Sequence, residues 1–293
     1  MTLAPAYLKK GDTVIILSTA RKMSREEIQP AKELYESWGL NVLLGETIGA
    51  EFHQFAGDDN VRETDFQKAI DNENIKAIFC ARGGYGTVRM MDNINFERFL
   101  LYPKWVVGFS DVTYLHSLIN HQLGVQTVHA AMPSLFKNTN EDCIDNIRKV
   151  LFGEEIKYEI KPSKFNRTGV MNAEVVGGNL SILYSITGTK SGFDPSGKIL
   201  FLEDLDEYLY HIDRMMLNLK RSGKLAHLAG LIVGGFSDMK DNQIPFGKTV
   251  EEIISEHVAE YNYPVCFNFP AGHIAENQPI VFGRKLRIEV PLI

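Results

Sequence analysis

The tetrapeptide Gly108-Phe109-Ser110-Asp111 follows the apolar run Trp105–Val107 and precedes a helical pattern that begins at Val112. A serine on a sharp strand-to-helix turn is held out at the carboxyl end of its sheet, where its hydroxyl can serve as a nucleophile. Asp111 opens the helix, so its backbone N–H is free to stabilise an oxyanion. The G-x-S-x-G elbow is matched only in part, because position 112 is Val. Ser110 or Asp111 as a plain helix cap is the other reading, and on this motif alone the simpler one. A second turn, Arg82-Gly83-Gly84-Tyr85-Gly86, also follows a buried strand signal. Its glycines let the backbone approach a ligand. Gly83 or Gly84 would supply a second oxyanion donor, with Arg82 near the substrate, and a plain tight turn is the alternative. Neither G-x-G-x-x-G nor G-x-x-x-x-G-K-[ST] occurs, which argues against a phosphate loop.

A serine hydroxyl needs a base, usually a histidine oriented by a carboxylate. The chain has eight histidines, so nearness to a motif must choose among them. His116 and His121 fall on the helix after Ser110 and read as decorating its surface or flank. His211 falls mid-helix, and His227 and His257 fall near exposed helical or loop positions. His129 follows an extended stretch and stays a rival. His273 stands in Pro270-Ala271-Gly272-His273, a loop after the strand signal Val265–Phe267. Such a loop can present a base, although a turn residue is the plainer reading. Glu203 ends the apolar run Ile199–Leu202 and is a candidate to orient a histidine. The cluster Glu203, Asp204, Asp206, Glu207 also reads as a solvated loop capping the helix from Tyr208. No H-E-x-x-H and no spacing typical of zinc or calcium occurs, so neither metal nor cofactor is expected.

Elements that would position these residues are visible along the chain. Strand signals at Thr13–Leu17, Asn41–Leu44, Ala77–Cys80, Trp105–Phe109 and Gln126–His129 alternate with helical patterns. One helix opens on the capping box Ser24-Arg25-Glu26-Glu27 and runs to Trp38, with Gly39 at its C-cap. Another spans Val61–Ile70, and a third spans Val112–Leu123. This alternation predicts an α/β fold whose first domain, residues 1–135, is a mostly parallel sheet flanked by helices. The pattern weakens over 136–167, read as a connector with some structure of its own. A smaller mixed α/β domain is expected over 168–293. It holds strands at Ile199–Leu202, Leu228–Phe236, Val265–Phe267, Ile280–Phe282 and Leu286–Val290. Its helices lie at Leu180–Ile186, Tyr208–Leu219 and Thr249–Ala259.

Composition narrows the function classes. At 44% hydrophobic and 23% charged residues the chain is ordinary for a globular protein, and 293 residues suffice for two domains. A net charge of -6 argues against a nucleic-acid partner. The three cysteines, Cys80, Cys143 and Cys266, are odd in number and widely spaced, which speaks against a disulfide framework or zinc ribbon. No apolar run approaches a membrane span or a signal-peptide core, so the expectation is a cytoplasmic protein without a membrane partner.

Taken together, these residues resemble the LD-carboxypeptidase family of serine peptidases across nearly the whole chain. The resemblance rests on Arg82-Gly83-Gly84-Tyr85-Gly86, Gly108-Phe109-Ser110-Asp111 and Gly177-Gly178-Asn179-Leu180-Ser181. It continues through Leu202-Glu203-Asp204 with Tyr210-His211-Ile212-Asp213-Arg214-Met215, and through Gly272-His273. Each is a weak signal, and five in family order are a strong one. The resemblance implies a triad of Ser110 as nucleophile, His273 as general base and Glu203 as its orienting carboxylate. It also implies an oxyanion hole from the backbone of Asp111 and of Gly83 or Gly84, a site between the domains, and a homodimer. The implied substrate is murein tetrapeptide, which loses its terminal D-alanine in cytoplasmic peptidoglycan recycling. Arg82 is the candidate ligand of the terminal carboxylate. Two other readings are a microcin-type peptidyl-nucleotide immunity peptidase and a non-catalytic module that binds cell-wall peptide or nucleotide. The chain departs from the family after the first strand. It reads Ser18-Thr19-Ala20-Arg21-Lys22 where the family often has a Pro-Ser-Gly-like turn, so fine specificity is expected to differ there.

Overall fold

Strands with apolar residues at nearly every position must be covered on both faces, which parallel sheets under helices achieve. The computed structural model, which describes residues 2–291, shows this arrangement twice. The first stretch runs β1 (Thr13–Leu17), α1 (Arg25–Ser37), β2 (Asn41–Leu44), α2 (Asp59–Asp71), β3 (Ile75–Cys80), α3 (Thr87–Met91), α4 (Glu97–Leu101), β4 (Trp105–Gly108), α5 (Thr113–His121) and β5 (Thr127–His129). The second runs α6 (Glu141–Leu151), β6 (Val170–Asn179), α7 (Leu180–Ile186), β7 (Ile199–Leu205), α8 (Leu209–Arg221), β8 (Gly230–Ser237), α9 (Val250–His257), β9 (Val265–Cys266), β10 (Ile280–Phe282) and β11 (Lys285–Glu289).

One sheet has the order β10-β5-β4-β3-β1-β2 and the other β11-β6-β7-β8-β9. Pairing is parallel in both except at an edge strand, where β10 runs antiparallel to β5 and β11 antiparallel to β6. The α/β fold is as expected from the alternation. The capping box holds too, since the Ser24 side chain accepts from Glu27 N and Glu27 answers at Ser24 N.

Two segments cross to the other part of the chain. β10 comes from the last fifteen residues yet pairs with β5 in the first sheet. α6 buries Ile147, Val150 and Leu151 in the same apolar cluster as Val14, Phe79 and Val107. Both pack where an apolar face was left open. The short helices α3 and α4 had no readable signal, because five residues show too little of a 3.6-residue period.

Candidate active site

The turn that carries Ser110 begins where β4 ends. A Cβ on Gly108 would lie 2.9 Å from Val112 Cγ2 and 3.1 Å from Cys80 Cβ, so only glycine fits against its neighbours. Ser110 has φ of 61°, in the left-handed region that non-glycine residues rarely occupy. Such strain is characteristic of functional turns. Ser110–Val112 forms one 3-10 turn that leads into α5. The Gly108 carbonyl is held from two sides, by Ala130 N at 3.1 Å and by His116 Nε2 at 2.9 Å. His116 Nδ1 lies 2.9 Å from Thr127 Oγ1, so the threonine hydroxyl donates and the imidazole stays neutral. Burial pushes the His116 pKa down to about 4. This corrects the sequence reading of His116 as a surface residue. α5 is covered on all sides from Thr113 to Asn120, and a helix buried all round offers no polar face to read.

The glycine turn is fastened to the Ser110 turn by a buried carboxylate. Asp111 Oδ2 accepts from Thr87 N at 2.9 Å, at the residue where α3 begins. Burial raises the Asp111 pKa. A Cβ on Gly83 would sit 3.1 Å from Ser110 Cβ and 3.3 Å from Ser110 Oγ. The Gly83 backbone therefore lies directly against the serine hydroxyl. The amides of Gly83 and Gly84 donate no hydrogen bond among the described residues.

The second sheet supplies a carboxylate and an imidazole through an irregularity in pairing. Leu202 pairs with Val233 and Asp204 with Phe236, so Gly234 and Gly235 of β8 together face Glu203 of β7. A bulge of this kind re-aims side chains and is frequent next to active sites. Here it draws in the following loop. Gly235 N donates to Ala271 O at 2.8 Å, and Gly235 bridges to Gly272. Gly272, at φ of 115°, packs so closely that a Cβ would lie 2.8 Å from Glu203 Cβ. His273 Nδ1 thereby reaches Glu203 Oε2 at 2.6 Å. The Glu203 side chain is 0% exposed and that of His273 11%. Burial works against protonation of His273, but the Glu203 charge and hydrogen bond outweigh it, and the pKa is raised. The Phe109 ring packs on the imidazole at 4.5 Å between centroids.

The solvated-loop reading of the acidic cluster fails for its first half. β7 extends to Leu205, and both Glu203 and Asp204 are buried. Asp204 Oδ1 accepts from Asn179 Nδ2 and Leu205 N, and its Oδ2 accepts from Ser181 N, each at 2.9 Å. Burial, then the Glu203 charge, pushes the Asp204 pKa up to about 7. Asn179 N in turn donates to Thr113 Oγ1 at 3.1 Å, which ties this strand end to the first turn of α5. The rival His129 is fully buried among Phe109, Phe201 and Phe282. Burial lowers its pKa far below the usual range, and it does not line the cleft.

A cleft of about 470 Å³ collects Arg82, Gly83, Gly84, Ser110, Asp111 and His273 on one surface, with Glu203 buried behind His273. The residues expected to form the triad, the oxyanion hole and the carboxylate ligand are thus in one place, and the rival His129 is not among them. Arg21, Asn179 and Asp204 also line it and were not singled out as site residues. Asn179 and Asp204 lie inside the quoted motifs, which was the available signal. Arg21 lies in the loop flagged as a departure.

Comparison with known proteins gives a consistent picture. Residues 14–130 match the family model of the LD-carboxypeptidase N-terminal domain, and residues 172–288 that of the LD-carboxypeptidase C-terminal domain. A Bacillus subtilis protein named probable murein peptide carboxypeptidase is 33% identical over 96% of this chain and 90% of its own. The crystal structure of muramoyltetrapeptide carboxypeptidase from Oxalobacter formigenes superposes with a TM-score of 0.85 at 24% identity, covering 95% of each chain. The microcin C7 self immunity protein MccF, in complex with aspartyl sulfamoyl adenosine, superposes with a TM-score of 0.86 at 19% identity, over 98% of this chain and 96% of that one. At these identities the two solved structures speak for the fold alone.

Proposed function

The chain belongs to the LD-carboxypeptidase family of serine-type carboxypeptidases, and from that membership we propose that it hydrolyses the amide bond between an L-centre and the terminal D-alanine of murein tetrapeptide. One observation carries the reading. The fully buried Glu203 makes, among the described residues, a single side-chain hydrogen bond, to the imidazole of His273, which lines the same cleft as a serine held at positive φ. A carboxylate–imidazole pair beside a strained serine is the equipment of acyl transfer.

In this reading Ser110 Oγ attacks the carbonyl carbon while His273 takes its proton. His273 then protonates the nitrogen of the departing D-alanine as the C–N bond breaks, leaving an ester on Ser110. Water, deprotonated by His273, attacks that ester, and the proton returns to Ser110 as the shortened peptide leaves. Glu203 stays ionised and holds the imidazole tautomer with Nδ1–H inward. Backbone N–H groups of Asp111 and of Gly83 or Gly84 receive the oxyanion, each donor worth about 3 kcal/mol in comparable hydrolases. Arg82 grips the terminal carboxylate, for which a planar guanidinium is suited. The family expectation adds a cytoplasmic homodimer that acts in peptidoglycan recycling.

The test is incubation of the purified protein with murein tetrapeptide and, separately, with a peptidyl-adenylate mimic. D-Alanine release that disappears in Ser110→Ala is the expected result. Nucleotide release without D-alanine release would overturn the reading in favour of an immunity peptidase.

A further inference from the structure

Resting on the murein-peptide reading, we infer that Arg21 determines specificity. Together with Arg82 it forms a two-guanidinium wall that selects a tetrapeptide whose third residue carries its own side-chain carboxylate, as diaminopimelate does and lysine does not.

Position comes first. Ser18 and Thr19, after β1, are fully buried, and the chain surfaces at Arg21. Arg21 N donates to Gly83 O at 3.4 Å. Its stem lies across Gly84, where a Cβ would be 2.6 Å from Arg21 Cδ and 2.8 Å from Arg21 Cγ. The absence of a side chain at position 84 therefore provides the seat of the arginine. The head group is carried into the cleft beside the turn that faces Ser110, and its charge is felt at Asp111.

The balance of charges in the cleft comes second. Each of its carboxylates has at least one partner within the protein, and Asp111 Oδ1 alone is buried without a hydrogen bond among the described residues. Asp206 pairs with Lys240 Nζ at 2.6 Å, and Glu207 accepts from His211 Nδ1 at 2.6 Å. Asp204 takes three N–H groups, and Asp111 takes Thr87 N. Neither Arg21 nor Arg82 has an ion pair or a side-chain hydrogen bond to protein among the described residues. Two guanidiniums on one wall thus await anionic groups. The terminal carboxylate of the departing D-alanine accounts for one. A second carboxylate close to the scissile bond accounts for the other, and in a murein peptide the third residue is placed to supply it.

The experiment compares kcat and KM on two tetrapeptides, one with diaminopimelate and one with lysine at the third residue. The parent, Arg21→Ala and Arg21→Lys are assayed side by side. A charge-assisted hydrogen bond lost in the complex costs about tenfold or more. The parent is therefore expected to prefer the diaminopimelate peptide by at least about tenfold. Arg21→Ala should lose that preference, chiefly through KM on the diaminopimelate peptide, with a clearly smaller loss on the lysine peptide. Arg21→Lys should recover part of the preference. The lysine peptide doubles as a control for folding of the exposed-site variants. Equal losses on both peptides, which a contact to a carboxylate common to both would give, overturn the inference. So does an unchanged preference in Arg21→Ala or a parent that prefers lysine. A parent that cleaves neither peptide overturns the proposed function itself and this inference with it.

Discussion

In the proposed mechanism His273 acts as a base only while its imidazole is neutral, and its pKa lies above the ordinary 6.5. Burial favours the neutral ring, but the Glu203 carboxylate favours the cation more strongly. Activity is therefore expected to be full at alkaline pH and to fall as pH drops through a value above 6.5. In Glu203→Gln the cation loses its support while burial remains, so the acid limb should move to lower pH even as the maximal rate falls. A pH–rate profile whose limb does not move would refute this coupling. Ser110→Ala and His273→Ala should each nearly abolish turnover, and the double variant should be no worse than either single one, since in the proposed mechanism they act as a unit. Asp204 contributes differently. Its removal in Asp204→Ala would strand the Ser181 and Leu205 amides and the Asn179 side chain. The Asn179 donor is buried and the two amides are half-buried, and a buried donor left without a partner costs about 1–3 kcal/mol, so denaturant unfolding should show a loss of about 2 kcal/mol.

Elements set these side chains in place through two devices. In the first sheet, His116 and Ala130 hold the Gly108 carbonyl, two residues before Ser110. In the second, the Gly234-Gly235 bulge admits the loop that bears His273. Gly272 tests the second device. An alanine there would be strained at φ of 115° and would press on Glu203. Displacements of about 1 Å cost on the order of a hundredfold in rate. Gly272→Ala should therefore lose about that much kcat while circular dichroism reports an unchanged fold, and near-parent kcat would contradict the packing argument. His116→Phe tests the first device. It removes the acceptor of the Thr127 hydroxyl in a fully buried place, so a stability loss of about 1–3 kcal/mol is expected in chemical denaturation.

Across the whole molecule the two sheets are bound into one unit. A single apolar cluster contains Phe109, Leu115 and Ile119 from one side and Leu202, Met215 and Leu231 from the other. Polar ties cross the same boundary, with Tyr114 Oη and Ser185 Oγ 2.8 Å apart and Ser117 Oγ donating to Ser191 O at 2.8 Å. β10 adds a strand from the end of the chain to the sheet that carries Ser110. Structures that share one core unfold cooperatively. Calorimetry should show one transition, and two separable transitions would refute this unity. Deleting residues 280–293 should prevent folding of the Ser110 sheet as well as the other, because Phe282 is fully buried against both.

Local order was legible in the chain itself. The strand–helix alternation, the Ser24 capping box and the glycine-rich turns depend on residues within a few positions of one another, where propensity and hydrophobic period act directly. The motifs holding Ser110, Glu203 and His273 could also be found, because each follows a strand signal. Tertiary structure decided how they meet. Glu203 and His273 are 70 residues apart, and their contact depends on a one-residue offset between β7 and β8 that no local pattern encodes. The buried state of His116 follows from helices and strands packed around α5, and the seat of Arg21 follows from a glycine 63 residues further along. β10 joins the first sheet because an edge there was left unpaired, which only the assembled sheet reveals. Short-range sterics and periodicity are written into neighbouring residues, whereas register, bulges and burial are properties of surfaces that exist only once distant segments have packed together.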